Sequence, residues 1–197
     1  MMKSQLITTA LVSAAILGLW TAAAPAAPIV MDDVDATFSI DFWGNTNDGY
    51  DGNARWTFDS PATATYSFTD LAPGAYELFA TWVSHPNRAP DVPFDVYDGT
   101  TTGTLLGTVD VNQENAPVAD MTLNDSFSNP VDFEQLGSSS FTITGDTLTV
   151  VIGVSTDMQQ DNNATIADAL AIVPEPTSLA LLGLMAGGLW RRRGPAS

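Results

Sequence analysis

Apolar and polar residues alternate with a period of two along most of the middle of the chain. Ala64, Tyr66 and Phe68 alternate with Thr65, Ser67 and Thr69, and Tyr76, Leu78, Ala80 and Trp82 mark one face of a long strand. Phe141 and Ile143 alternate with Thr142 and Thr144; Leu148, Val150, Ile152 and Val154 follow in the same rhythm. This period places successive side chains on opposite faces of a strand, so each run reads as half-buried, with Trp82 and the nearby Trp56 in the core. Gly145-Asp146 between the last two runs predicts a two-residue hairpin turn. Further strands are expected over 37–42, 54–58, 94–97, 105–111 and 166–173. About nine or ten short strands with frequent turns predict an all-β fold, an antiparallel jelly-roll-like β-sandwich.

The two ends follow a different pattern. Lys3, an apolar run from Leu6 to Trp20 and a small-residue stretch up to Ala26-Ala27-Pro28 have the three parts of a secretory signal peptide, a signal helix with cleavage after Ala26. At the other end, Pro174-Glu175-Pro176 precedes a short hydrophobic helix over 179–190 and the cluster Arg191-Arg192-Arg193. Twelve apolar residues span only about 18 Å as a helix, short of a comfortable bilayer crossing. The arginines would hold the end on the cytoplasmic side. Pro174 and Pro176 are expected to isolate this tail from the fold. The resulting organisation is 1–26 signal peptide, 27–173 β-sandwich and 174–197 sorting tail.

This three-part tail resembles the PEP-CTERM sorting signal. The resemblance implies export, transient anchoring in the inner membrane and processing by an exosortase-type enzyme. Pro174, Glu175, Pro176, Arg191, Arg192 and Arg193 are its signal residues.

Charge sharpens the picture of the middle segment. The whole chain has formal net charge −17, but four of its six cations lie in the two ends. Residues 27–173 keep Arg55 and Arg88 against 22 acidic residues, a net charge of about −20. Such a surface excludes nucleic acid as a partner. It repels anionic polysaccharides unless divalent cations bridge them. The chain has no cysteine, so disulfides, thiolate metal sites and cysteine nucleophiles are excluded. Core packing, or a bound cation, must hold the sandwich together.

Candidate chemistry concentrates in Asn45-Thr-Asn-Asp-Gly-Tyr-Asp-Gly-Asn53. Asp48, Asp51 and Asn53 offer hard oxygen ligands between glycines that permit tight turns, the donor type that Ca²⁺ takes. Trp43 and Tyr50 flank the loop and are candidates for stacking on a sugar ring. Asp168, set among small apolar residues, reads as a hydrogen-bonded carboxylate locking the last strand, with Arg88 or a metal as partner; Gln113 reads the same way. The single histidine, His85, precedes Pro86 and reads as a loop hydrogen-bonding group. No nucleophile motif accompanies it, so no catalytic residue is assigned; an enzyme would need a cleft with convergent carboxylates.

The core also resembles the golvesin/Xly carbohydrate-binding-like domain. The matching segments are Trp56-Thr57-Phe58, Leu71-Ala-Pro-Gly-Ala-Tyr76, Ala80-Thr-Trp82, Val111-Asn-Gln113, Leu136-Gly137 and Ile166-Ala-Asp-Ala169. Phe133 stands three residues before Leu136, where the family usually has an adjacent aromatic. The resemblance implies a non-catalytic extracellular or cell-surface module associated with carbohydrate or matrix. A structural assembly protein with protein–protein contacts is the alternative.

Overall fold

The computed structural model describes residues 26–39, 42–58, 61–137, 139–155 and 163–175. The expected signal helix and the apolar tail helix lie outside these residues.

The described residues form an all-β fold of fourteen short strands. One sheet runs β1 (Ile29–Met31), β14 (Leu170–Pro174), β6 (Gly74–Ala80), β10 (Pro130–Gln135) and β9 (Met121–Asn124), with β11 (Phe141–Ile143) also paired to β6. The second runs β2 (Thr37–Phe38), β5 (Ala64–Phe68), β12 (Leu148–Ile152), β7 (Val92–Asp98) and β8 (Thr104–Val111). A small third sheet joins β13 (Thr165–Ala167), β4 (Ala54–Thr57) and β3 (Gly44–Thr46). Every strand pairing is antiparallel.

The period of two is borne out where it was strongest. Ala64, Tyr66 and Phe68 of β5 point inward, as do Tyr76, Leu78 and Ala80 of β6. With Phe94, Val96, Leu148, Val150, Ile152 and Ile172 they fill the space between the sheets, and Trp82 joins them. The other face of β6 is covered as well. Phe79 packs there with Phe133, Ala169 and Ala171, and half-buried Tyr50 closes over them.

Three expectations fail for topological reasons. Gly145-Asp146 does not close a hairpin: β11 pairs with β6 and β12 with β5 and β7, so the turn carries the chain from one sheet to the other. The Asp98 carboxylate from β7 anchors this crossing by accepting from the Thr144 hydroxyl (2.6 Å) and backbone N–H (3.0 Å). Residues 166–173 are not one strand. They break at Asp168-Ala169 into β13 and β14, which belong to different sheets. Pro174 is not outside the fold either: it is the last residue of β14, opposite Tyr76. Trp56 packs against the main core as expected, half-buried, its indole lying over Gly44 and donating to the Asn45 carbonyl.

Gln113 ties the loop after β8 to β13, as expected of a buried amide. Its side chain donates to the Ile166 carbonyl and accepts from the Ile166 N–H, both at 2.8 Å. A buried backbone pair left without partners costs more than the bonds contribute when formed. Gln113→Leu should therefore cost about 2–4 kcal/mol, seen as a lower urea midpoint with unchanged slope.

Candidate functional site

The corner that splits the last strand is also where the candidate residues meet. Asp168 is 2 % exposed and sits between β13 and β14. Its Oδ1 accepts from the Tyr50 N–H (3.0 Å), and its backbone carbonyl accepts from the buried Tyr66 hydroxyl (2.5 Å). Its Oδ2 is buried with no hydrogen-bond partner. The contact to Tyr50 requires glycine just before it. Gly49 has φ +124°, and a Cβ there would lie 2.9 Å from Asp168 Oδ2 and 2.3 Å from the Asn53 carbonyl oxygen. The loop between β3 and β4 thus lies directly on the Asp168 carboxylate. Arg88 is not its partner; that guanidinium donates to the Val83 carbonyl and to Asn87.

Two further carboxylates are buried near Asp168. Asp33 is fully buried and ion-paired to Arg55 Nε (2.9 Å), while the Asn53 carboxamide faces it and donates to its oxygens when the nitrogen is turned inward. Asp32 has an unpartnered Oδ1. Burial, and after it the negative charges of Asp33, Asp51 and Asp35, push its pKa from 3.8 up to about 7; a hydrogen bond from the Asp33 backbone pulls the other way. Asp168 is raised well above the usual carboxylate range, first by burial and then by the charges of Asp32 and Asp33, against the opposing Tyr50 hydrogen bond.

A cleft of about 400 Å³ opens beside this corner. Asp48, Asp132 and Asp168 are among its lining residues, as are Thr81 and Ser84, and the Asp132 carboxylate accepts from the Thr122 hydroxyl (2.8 Å). The buried face of Trp82 forms part of the wall, its N–H donating to the Asn115 carbonyl (2.8 Å). The predicted loop residues are therefore dispersed. Asp48 faces the cleft. Asp51, at φ +52°, accepts from the Ser126 N–H, and Asn53 is turned to Asp33. Among the described residues no group of three or more acidic or histidine side chains is disposed to hold a metal.

The aromatic candidates also turn inward. Trp43 is half-buried against Phe38, with ring centroids 4.9 Å apart, and packs on the main core. Tyr50 meets Phe133 edge-on at 5.7 Å and donates its hydroxyl to the Asn124 carbonyl. His85 accepts from the Asn87 N–H in its own loop. Asp132, Thr81 and Ser84 carried no sequence signal as site residues. The usable hints were Asp48, in the Asp/Asn/Gly loop, and Asp168, an acid in an apolar run.

The raised carboxyl groups fix the sign of a pH effect. The folded state keeps the Asp32 proton up to about pH 7, whereas the unfolded chain loses it near 3.8. The folded state binds more protons in that window, so stability falls as pH rises through it. Asp32→Asn should flatten that part of a melting-temperature profile; an unchanged slope would show that the burial of Asp32 does not control it.

Comparison with known proteins supports two parts of this picture. Residues 173–193 match the PEP-CTERM protein-sorting motif. No curated protein sequence matches the chain. Among solved structures, a Paenibacillus xanthan lyase is similar with a TM-score of 0.53 and 24% identity, over 76% of this chain and 13% of that one. The chain thus spans about an eighth of that protein, and the likeness concerns the fold. A CBM36-1 domain of a multidomain xylanase from the hindgut metagenome of Trinervitermes trinervoides has a TM-score of 0.48 and 15% identity, over 74% of this chain and 96% of that one. A carbohydrate-binding module CBM36 in complex with calcium and xylotriose has a TM-score of 0.47 and 12% identity, over 73% and 98%. The chain carries a PEP-CTERM protein-sorting motif on an antiparallel β-sandwich.

Proposed function

We propose that this is an exported cell-surface module that binds neutral glycan in the cleft beside Asp168 and performs no catalysis. The supporting observation is the unpartnered, buried Asp168 oxygen at a cleft that also presents Asp48, Asp132, Thr81 and Ser84. Carboxylates and hydroxyls are suited to sugar hydroxyls, which donate and accept at once. The surplus of acidic residues disfavours anionic polymers. The sorting signal supports export to the cell surface, with an exosortase-type enzyme as processing partner and extracellular polysaccharide as the matrix.

Calcium is read here as a ligand of the cleft. Asp48 and the free oxygen of Asp168 are hard donors, and Ca²⁺ takes about 6–8 oxygens, leaving positions for water and sugar hydroxyls. Asp51 and Asn53, engaged elsewhere, leave the proposed ligand set. Hydrolysis is disfavoured because Asp168 holds the Tyr50 loop and cannot move to serve as an acid without releasing it. A surface assembly role is the second reading, with exposed Phe42 and Phe127 as candidate contacts.

A glycan array followed by calorimetry tests the proposal on the secreted protein. Asp48→Asn with Asp132→Asn should weaken binding at least ~10-fold, about 1.4 kcal/mol, while Trp43→Phe leaves it unchanged. Calcium should raise both affinity and melting temperature. Absence of binding with and without calcium would overturn the glycan reading. Release of reducing ends would overturn the non-catalytic one.

A further inference from the structure

The sorting motif does not begin where the fold ends. Its match starts at Val173, yet β14 continues to Pro174, with Val173 opposite Glu77 and Pro174 opposite Tyr76. The Glu175 N–H then donates to the Ala75 carbonyl at 3.0 Å. All three residues are half-buried.

The register explains how a proline fits there. Hydrogen-bonded and non-hydrogen-bonded pairs alternate along an antiparallel ladder. Since Glu175 bonds to Ala75, the neighbouring Pro174–Tyr76 pair is a non-hydrogen-bonded one, and the nitrogen of Pro174 points away from β6. On that side β1 has already ended: its first residue, Ile29, lies opposite Ile172. The missing N–H therefore breaks no ladder bond, the edge condition under which a strand accepts proline. β11 covers the other side of β6 at the same level, through Phe141 opposite Tyr76 and Thr142 opposite Ala75. The start of the motif is thus an integral strand end, held on one side by a strand that is itself paired.

We propose that the folded sandwich withholds the Pro174-Glu175 part of the sorting signal, and that peeling of the Val173–Glu175 strand end gates its processing. A processing enzyme that reads an extended peptide needs its backbone groups and both side-chain faces. Here β6 already occupies one edge of the segment. Strand ends open locally far more often than a domain unfolds, so the gate is a local equilibrium. The proposal rests on the sorting reading for its biological meaning; the docking itself does not.

The absence of cysteine from the chain permits a clean test. In a host that processes the full-length chain, pulse–chase gels would follow the wild-type chain and three variants. Inserting Gly-Ser-Gly-Ser between Val173 and Pro174 frees the motif and should speed processing roughly 10-fold. Glu77→Cys with Val173→Cys, opposed in register, should slow it roughly 10-fold when oxidised and return it to the Glu77→Cys rate on reduction. Equal rates for the wild-type chain, the insertion and the oxidised pair would overturn the gate. Amide exchange of the full chain gives a readout without any enzyme. Glu175 should be protected relative to the same residue in a free tail peptide, and to the insertion variant; exchange at the free-peptide rate would overturn the docking. A wild-type chain that is never cut would remove the gate along with the sorting reading, while loss of glycan binding leaves both measurements untouched.

Discussion

The architecture near the cleft depends on one buried carboxylate. Asp168 stands at the corner where the chain leaves the small sheet for the first large one, and both ends of the residue are used. Its carbonyl receives the Tyr66 hydroxyl from the opposing sheet, and its side chain receives the Tyr50 N–H from the β3–β4 loop. Three elements distant in sequence are fixed to one another at a single point. A polar group in an apolar interior is costly unless bonded, so each of these contacts is specified rather than interchangeable. The wall of the cleft formed by Asp48 and Gly49 stands where it does because of this attachment.

The same corner concentrates negative charge. Asp32 and Asp33 lie behind Asp168, and Arg55 is the cation that meets Asp33, supported by its approach to the Phe38 ring at 5.8 Å. One guanidinium cannot neutralise three buried carboxylates. The remainder is managed by raised affinity for protons at Asp32 and Asp168, and each keeps one buried oxygen without a partner, that of Asp168 beside the cleft. Polar strain of this kind is commonly concentrated at binding sites, where a ligand completes what the fold leaves open.

The C-terminal boundary follows from the sheet order. β14 lies between β1 and β6, so it is a central strand until β1 ends, and an edge strand beyond that point. The sorting motif begins at this change. In the sequence only Pro176, Thr177 and Ser178 separate the end of the paired segment from the apolar stretch at Leu179.

The sequence by itself determined the all-β class, the inward faces of β5, β6 and β12, the buried roles of Trp82 and Gln113, and the sorting tail. These are properties of local periodicity, of single buried polar groups or of a contiguous motif. It also marked Asp168 as an acid that needed partners. Only the tertiary structure decided which strands pair, because period-two alternation is the same whether a turn closes a hairpin or crosses between sheets. That is why Gly145-Asp146 and the 166–173 run misled. It likewise gave Asp51 and Asn53 separate partners, Ser126 and Asp33, and turned Trp43 and Tyr50 inward. The cleft was illegible for the same reason: Thr81, Ser84, Asp132 and Asp168 are brought together by sheet order, and no spacing along the chain encodes the closing of a ladder.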